Sequence, residues 1–232
     1  MKKIIALVFV LMLIPGFVIA TPFNNRPEEG TNLSSLQTLL DGVYGAGLFD
    51  VNIQETAAIF QPSVAGPTSS SFLILLEVAG WLDINTFGIY SYSDPSKMLQ
   101  VFSGPNGQGD SAAVTFQSGW VQLGSDDSTR ILNFGTNFGY YITTGAPGTW
   151  YSEDDKNPGG WAQMLIYAFP GVPNEYIIAC EDQNRNIFSD NDFNDMIIKA
   201  SEVKPVPEPA TMLLLGSGLI GLAGFARRRF RK

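Results

Sequence analysis

The spacing of apolar residues changes three times along this chain. From Ile4 to Phe17 they form one run, broken only by Pro15 and Gly16 and preceded by Lys2 and Lys3. At Leu33, Leu36, Leu39 and Leu40 they recur at helical spacing, which predicts one short amphipathic helix. From Phe72 onward the chain is a succession of short β-branched or aromatic runs cut by Gly, Pro, Asn and Asp. These predict strands over 72–78, 87–92, 99–102, 112–116, 130–134, 138–143, 164–169, 176–180 and 196–203. About nine strands at this spacing predict a mainly β fold, a single antiparallel β-sandwich or jelly roll. The last apolar run, 210–226, carries no charge and as a helix spans about 25 Å, the short limit for a membrane crossing.

The predicted organisation is therefore a signal peptide (1–20), an N-terminal segment with the short helix (21–71), a β-sandwich domain (72–203), a Pro-rich linker and sorting motif (204–209), a transmembrane helix (210–226) and a basic cytoplasmic tail (227–232). The wider stretch 201–209 reads as the linker that holds the domain off the membrane.

The two ends are legible in detail. Lys2 and Lys3 make a basic n-region, and Val18 and Ala20 suit signal peptidase, so cleavage is expected between Ala20 and Thr21. The N-terminal run is shorter than the roughly 20 apolar residues a membrane anchor needs. At the other end, Arg227, Arg228, Arg229, Arg231 and Lys232 hold the tail in the cytoplasm by the positive-inside bias, which puts the domain before it outside. Ahead of the apolar run stand Val206, Pro207, Glu208 and Pro209. Two prolines around one Glu make a stiff, extended segment that a processing enzyme can grip.

Short Pro motif, short apolar helix and basic tail together resemble the PEP-CTERM sorting signal of Gram-negative bacteria that make exopolysaccharide, with no departure from its pattern. The resemblance implies processing by an exosortase, a membrane-embedded cysteine transpeptidase-like enzyme that cuts near the motif. It also implies export across the inner membrane, transient anchoring through the C-terminal helix, and a final place at the cell surface or outside the cell. It concerns sorting and not activity.

Charge and scarce residue types narrow the chemistry of the domain. The chain has 14 Lys plus Arg and 22 Asp plus Glu. Seven of the cations lie in the two end segments and Glu208 in the tail motif, leaving 7 cations against 21 acids in residues 21–205. A surface so acidic repels nucleic acid and anionic lipid and favours divalent cations. Cys180 is the sole cysteine, so no internal disulfide forms, and its apolar neighbours mark it as a small core residue. There is no His, which excludes Ser-His-Asp and Cys-His catalysis and His-based zinc sites.

The informative constellation comes late. The predicted strand 176–180 runs into Glu181 and Asp182; after a polar loop come Asp190, Asn191, Asp192, Phe193, Asn194 and Asp195, ahead of the last strand. Asp190, Asp192 and Asn194 match EF-hand positions 1, 3 and 5, but Asp195 stands where Gly is required, so this is not an EF-hand. Two readings stay open. Glu181, Asp182, Asp190, Asp192, Asn194 and Asp195 supply hard oxygen ligands for Ca²⁺, because carboxylates this close repel one another unless a cation or donors intervene. Alternatively they are successive Asx turns that start the last strand.

These residues, with Phe138-Gly139-Tyr140-Tyr141, Tyr151-Ser152 and Asn157 upstream and Asn85-Thr86-Phe87-Gly88-Ile89-Tyr90 earlier, resemble a domain family of unknown function common in bacterial surface proteins. The resemblance spans about 72–203 and implies a β-rich extracellular module without a known reaction. Other features point less sharply. Trp81, Trp120, Trp150 and Trp161 with Tyr140, Tyr141 and Tyr151 form either a sugar-stacking platform or core packing. Glu153-Asp154-Asp155 reads as a solvated turn.

Three functions follow. The leading one is a secreted, non-catalytic surface or matrix protein that associates with exopolysaccharide or other matrix proteins, with signal peptidase and exosortase as processing partners and no nucleic-acid partner. The second is a Ca²⁺-dependent carbohydrate-binding module. The third is a carboxylate-based hydrolase in which Glu153 or Glu181 pairs with a second acid about 5 to 9.5 Å away.

Overall fold

The computed structural model describes residues 34–55, 57–77, 84–145, 148–184, 189–207 and 217. The expected signal peptide and basic tail lie outside them, as do Glu208, Pro209 and all but Ser217 of the expected transmembrane helix. Among the described residues no helix is long and apolar enough to cross a membrane.

Leu36 and Leu40 stand one turn apart and are both buried in the expected helix, α1 (Ser34–Tyr44). Gly45, at φ 97°, ends it in the left-handed conformation, its N–H donating to the Asp41 carbonyl at 2.9 Å.

The strands form two antiparallel sheets. The first comprises β1 (Phe60–Pro62), β3 (Thr86–Ser91), β4 (Met98–Phe102), β8 (Phe138–Thr144), β9 (Gly148–Tyr151) and β13 (Val203–Pro205), in the order β13-β1-β8-β3-β4 with β9 also paired to β8. The second comprises β2 (Thr68–Glu77), β5 (Ser111–Gln117), β6 (Trp120–Leu123), β7 (Ile131–Leu132), β10 (Met164–Ala168), β11 (Glu175–Cys180) and β12 (Met196–Ser201), in the order β10-β11-β12-β2-β5-β6-β7. The expected β-sandwich is thus the observed fold.

Its main core lies between the sheets, where Phe60, Phe87, Ile89, Tyr140 and Ile142 of the first meet Phe72, Ile74, Phe116, Ile166 and Ile178 of the second. A smaller core covers the other face of β10–β12. There Leu165, Tyr167, Ile177, Ala179 and Ile197 pack under Leu36, Leu40, Phe49 and Phe193. Double coverage explains why β10 and β11 are buried along nearly their whole length while burial in β2 alternates.

On the outer face of the first sheet, Gly88 lies opposite Tyr141 and Gly139 opposite Tyr90. A Cβ on either glycine would overlap the facing ring, and on Gly88 also the Leu99 carbonyl. The two tyrosines are therefore buried against glycine backbone, and Tyr90 is also met by Tyr151, edge-on at 5.2 Å, and by Glu153 and Lys156.

Several boundaries differ from expectation. The stretch 196–203 is two strands in different sheets: Glu202, at φ 61°, turns the chain from β12 into β13. Its carbonyl accepts from Ser63 N–H at 2.9 Å and from Ser70 Oγ at 3.0 Å, which holds that conformation. Residues 204 and 205, expected at the start of the linker, accordingly continue a paired strand that begins at the fully buried Val203. Strand 130–134 shrinks to β7 because Asn133, at φ 55°, ends it. β1, β6 and β9 were not expected; they are three or four residues long, and β1 contains a proline.

Candidate metal centre

The ladder between β11 and β12 closes with Cys180 opposite Met196. Glu181 and Asp182, leaving β11, therefore sit at the same end of the sheet as Asp195, entering β12. Asp182 N–H donates to Asp195 Oδ2 at 2.8 Å. Gln163, just before β10, clamps the same end: Glu181 N–H donates to its carbonyl at 3.0 Å, and its Nε2 donates to the Glu181 and Gln183 carbonyls at 3.2 and 2.7 Å. The result is two acids almost without solvent exposure, Glu181 at 0% and Asp182 at 1%.

The loop before Asp195 is shaped by two left-handed residues, Asn191 at φ 60° and Phe193 at φ 55°. That conformation in a bulky residue costs about 1–3 kcal/mol and persists only where the surroundings fix it. Here the Phe193 ring is fully buried in the smaller core with Leu36 and Leu40. Its neighbours then meet α1. Ser35 Oγ donates to Asp192 Oδ2 at 3.3 Å, and Asn194 Nδ2 donates to Ser35 Oγ at 3.1 Å and to Asp192 Oδ2.

Glu181, Asp182 and Asp195 each bring one oxygen to within 4.8 Å of the others, and so do Glu181, Asp190 and Asp192. The two groups share Glu181. Five of the six residues singled out in sequence thus converge, while the amide nitrogen of the sixth, Asn194, braces Asp192 against α1. Glu181 Oε2 and Asp182 Oδ1 are buried without a hydrogen-bond partner. Burial, followed by the charges of Asp195 and Asp190, pushes Glu181 up to about 9. Burial above all pushes Asp195 up to about 7, and Asp182 and Asp192 are raised for the same reason. Such a cluster holds either protons or a cation. Its ligands are all oxygen, as Ca²⁺ prefers with its six to eight ligands at about 2.3–2.6 Å. Cys180 adds no soft ligand, because its thiol lies in the main core and burial raises it well above the usual thiol range.

Two residues from the first sheet reach the cluster that no local pattern marked as ligands. Asn85 Nδ2 donates to Asp182 Oδ2 at 2.9 Å, and Trp150 Nε1 donates to the Asp182 carbonyl at 3.0 Å.

The remaining candidates behave differently. Trp150 and Tyr140 are core residues, and Tyr141 lies flat on Gly88, so these rings present no stacking face; Trp81 lies outside the described residues. Trp120 sits under the Arg130 guanidinium, 4.3 Å from the ring centre, on β6, four strands from β11. The turn at Glu153–Asp155 is not simply solvated: Asp154 is buried, and Glu153 Oε2 accepts from Tyr90 OH at 2.6 Å and lies 3.4 Å from Lys156 Nζ. In the sorting segment, Val206 N–H still donates to the Ile59 carbonyl at 2.9 Å, so the motif leaves the fold directly from the edge strand β13.

The PEP-CTERM protein-sorting motif matches residues 205–231. The chain is therefore an exported protein sorted by an exosortase to the cell envelope or surface. No curated protein matches the chain. Among solved structures it is similar to a Chromobacterium violaceum lectin, CV2L, in complex with alpha-methyl-fucoside, at 10% identity and a TM-score of 0.32, covering 65% of this chain and 98% of the lectin. A likeness that loose says nothing about ligand or site.

Proposed function

We propose that the protein is a non-catalytic surface or matrix component whose sandwich is clasped by one Ca²⁺ at Glu181, Asp182, Asp190, Asp192 and Asp195, with Asn194 as a brace. After removal of residues 1–20 and the C-terminal tail, it associates with exopolysaccharide or other matrix proteins. The observation that carries the metal reading is the pair of buried, unpartnered oxygens, Glu181 Oε2 and Asp182 Oδ1, inside a group of close carboxylates. Asn194 N–H donates to Asp192 Oδ1 at 3.3 Å, so the loop does contain an Asx turn, but that turn chemistry does not account for the Glu181 and Asp182 oxygens, which lie outside the loop. The hydrolase reading loses ground because Glu153 is held by Tyr90 and Lys156, and Glu181 has no exposed surface for a substrate to meet.

The role outside the cell is tested by fractionating cells that carry the sorting enzyme. The wild-type chain is expected in the surface or matrix fraction, without its basic tail. A chain lacking residues 206–209 is expected to stay in the membrane fraction with the tail attached. Normal release of that deletion would contradict the sorting role, and wild-type protein found only free in the medium would contradict matrix association.

A further inference from the structure

We infer that Asn85 is a further ligand of the same cation, so that the ion ties the two sheets of the sandwich together. This rests on the reading of the acidic cluster as a Ca²⁺ site. Asn85 stands one residue ahead of β3 in the first sheet, whereas the five acids all belong to the β11–β12 end of the second. Its side chain is fully buried at 0% exposure. The amide nitrogen donates to Asp182 Oδ2 at 2.9 Å, which puts the carboxamide against the cluster. Its oxygen, Oδ1, is buried with no hydrogen-bond partner, as is Asp182 Oδ1 on the carboxylate it touches.

An asparagine acting only as a latch between the sheets would need just the nitrogen, and its oxygen would be expected to find a donor. Buried carbonyl oxygens are rarely left without one. A neutral amide oxygen is also a normal Ca²⁺ ligand, and it adds coordination without adding a sixth negative charge to five carboxylates. Trp150, on β9 of the first sheet, holds the Asp182 carbonyl at 3.0 Å, so that Asp182 is gripped from the opposite sheet at both its backbone and its side chain. Ser35 of α1 reaches Asp192. A cation held by Asn85 and the acids would therefore bind the first sheet, the second sheet and the helix at one point.

The test is calorimetric titration of Ca²⁺ into the exported protein and its Asn85→Ala and Asn85→Asp variants, with thermal melts of each in chelator. A ligand role predicts that Asn85→Ala weakens Ca²⁺ binding about tenfold or more. It also predicts that Asn85→Asp, which keeps an oxygen at that place, binds at least as tightly as wild type. In chelator, Asn85→Asp should melt below wild type, since it adds a charge beside Asp182 with no cation to offset it. If wild type binds Ca²⁺ and both variants bind with the wild-type constant, Asn85 is a latch and this inference falls while the site stands. If both variants weaken binding equally, the lost amide hydrogen bond explains it and the inference also falls. If wild type binds no Ca²⁺, the site itself is refuted. Should Asn85→Ala fail to fold, Asn85→Leu, close in shape and without the oxygen, takes its place in the titration with the same expected and overturning results.

Discussion

Two turns in this molecule are both rich in Asp and have opposite electrostatics. At Asp126–Arg130 the carboxylates are exposed and supplied with donors. Asp126 Oδ1 accepts from Ser128 N–H at 2.9 Å and from Ser128 Oγ at 2.7 Å, and Asp127 pairs with Arg130. Those hydrogen bonds hold Asp126 below the ordinary carboxylate range. At the β11–β12 end, Glu181 and Asp195 are raised by burial and by one another's neighbours, and two oxygens have no donor at all. The first is turn chemistry complete in itself. The second is incomplete without protons or a cation, and that is what separates a site from a turn when both read as Asp-rich segments.

The contrast is sharpest in chelator, as a function of pH. Glu181 and Asp195 have folded-state values, about 9 and about 7, above their unfolded ones. The folded chain therefore holds protons that the unfolded chain has already released. The stability these two groups contribute is complete below about pH 4 and is lost as pH rises toward 9, by roughly a few kcal/mol. Melts in chelator at pH 5, 7 and 9 should fall in that order; a flat or rising series would place the cluster with the Asp126 turn. In Ca²⁺ the fall should be largely cancelled, because the cation replaces the lost protons and binds better as they leave.

Next in size are substitutions within the cluster. Asp192→Asn and Asp195→Asn should each abolish the gain from Ca²⁺, about 1.4 kcal/mol at ten times the dissociation constant. In chelator both should melt at or above wild type, since one repelling carboxylate is gone. A substitution that lowered the melt equally in both media would mark its residue as structural. The smallest effect is expected at the other turn. Asp126→Ala removes the acceptor for Ser128 and should lower the melting temperature slightly, and equally with and without Ca²⁺. A Ca²⁺-dependent change there would erase the distinction.

The sequence revealed these two regions unequally. Nine strand segments were legible because each run is β-rich and bounded by turn residues, and the six residues proposed as the site stood out because they flank a single hairpin. Three things were not. The sheet switch at Glu202 uses a left-handed residue that is neither Gly nor Asn, held by Ser63, just past β1, and by Ser70 of β2, both distant in sequence. The double burial of β10–β12 depends on α1 covering their outer face. Asn85 lies 97 residues before Asp182, and only the stacking of two sheets brings them together.

The central claim, that the acidic end of the second sheet is a cation site, is tested most directly by melting the exported protein in chelator, in millimolar Ca²⁺ and in millimolar Mg²⁺. Extracellular modules bind Ca²⁺ at about 10⁻⁴ to 10⁻³ M, so millimolar concentrations are enough to fill such a site. A many-oxygen site should favour Ca²⁺ over Mg²⁺, which demands a tight octahedron. The account predicts a rise of roughly 3–6 °C in Ca²⁺ and little change in Mg²⁺. Equal melting temperatures in all three would contradict it.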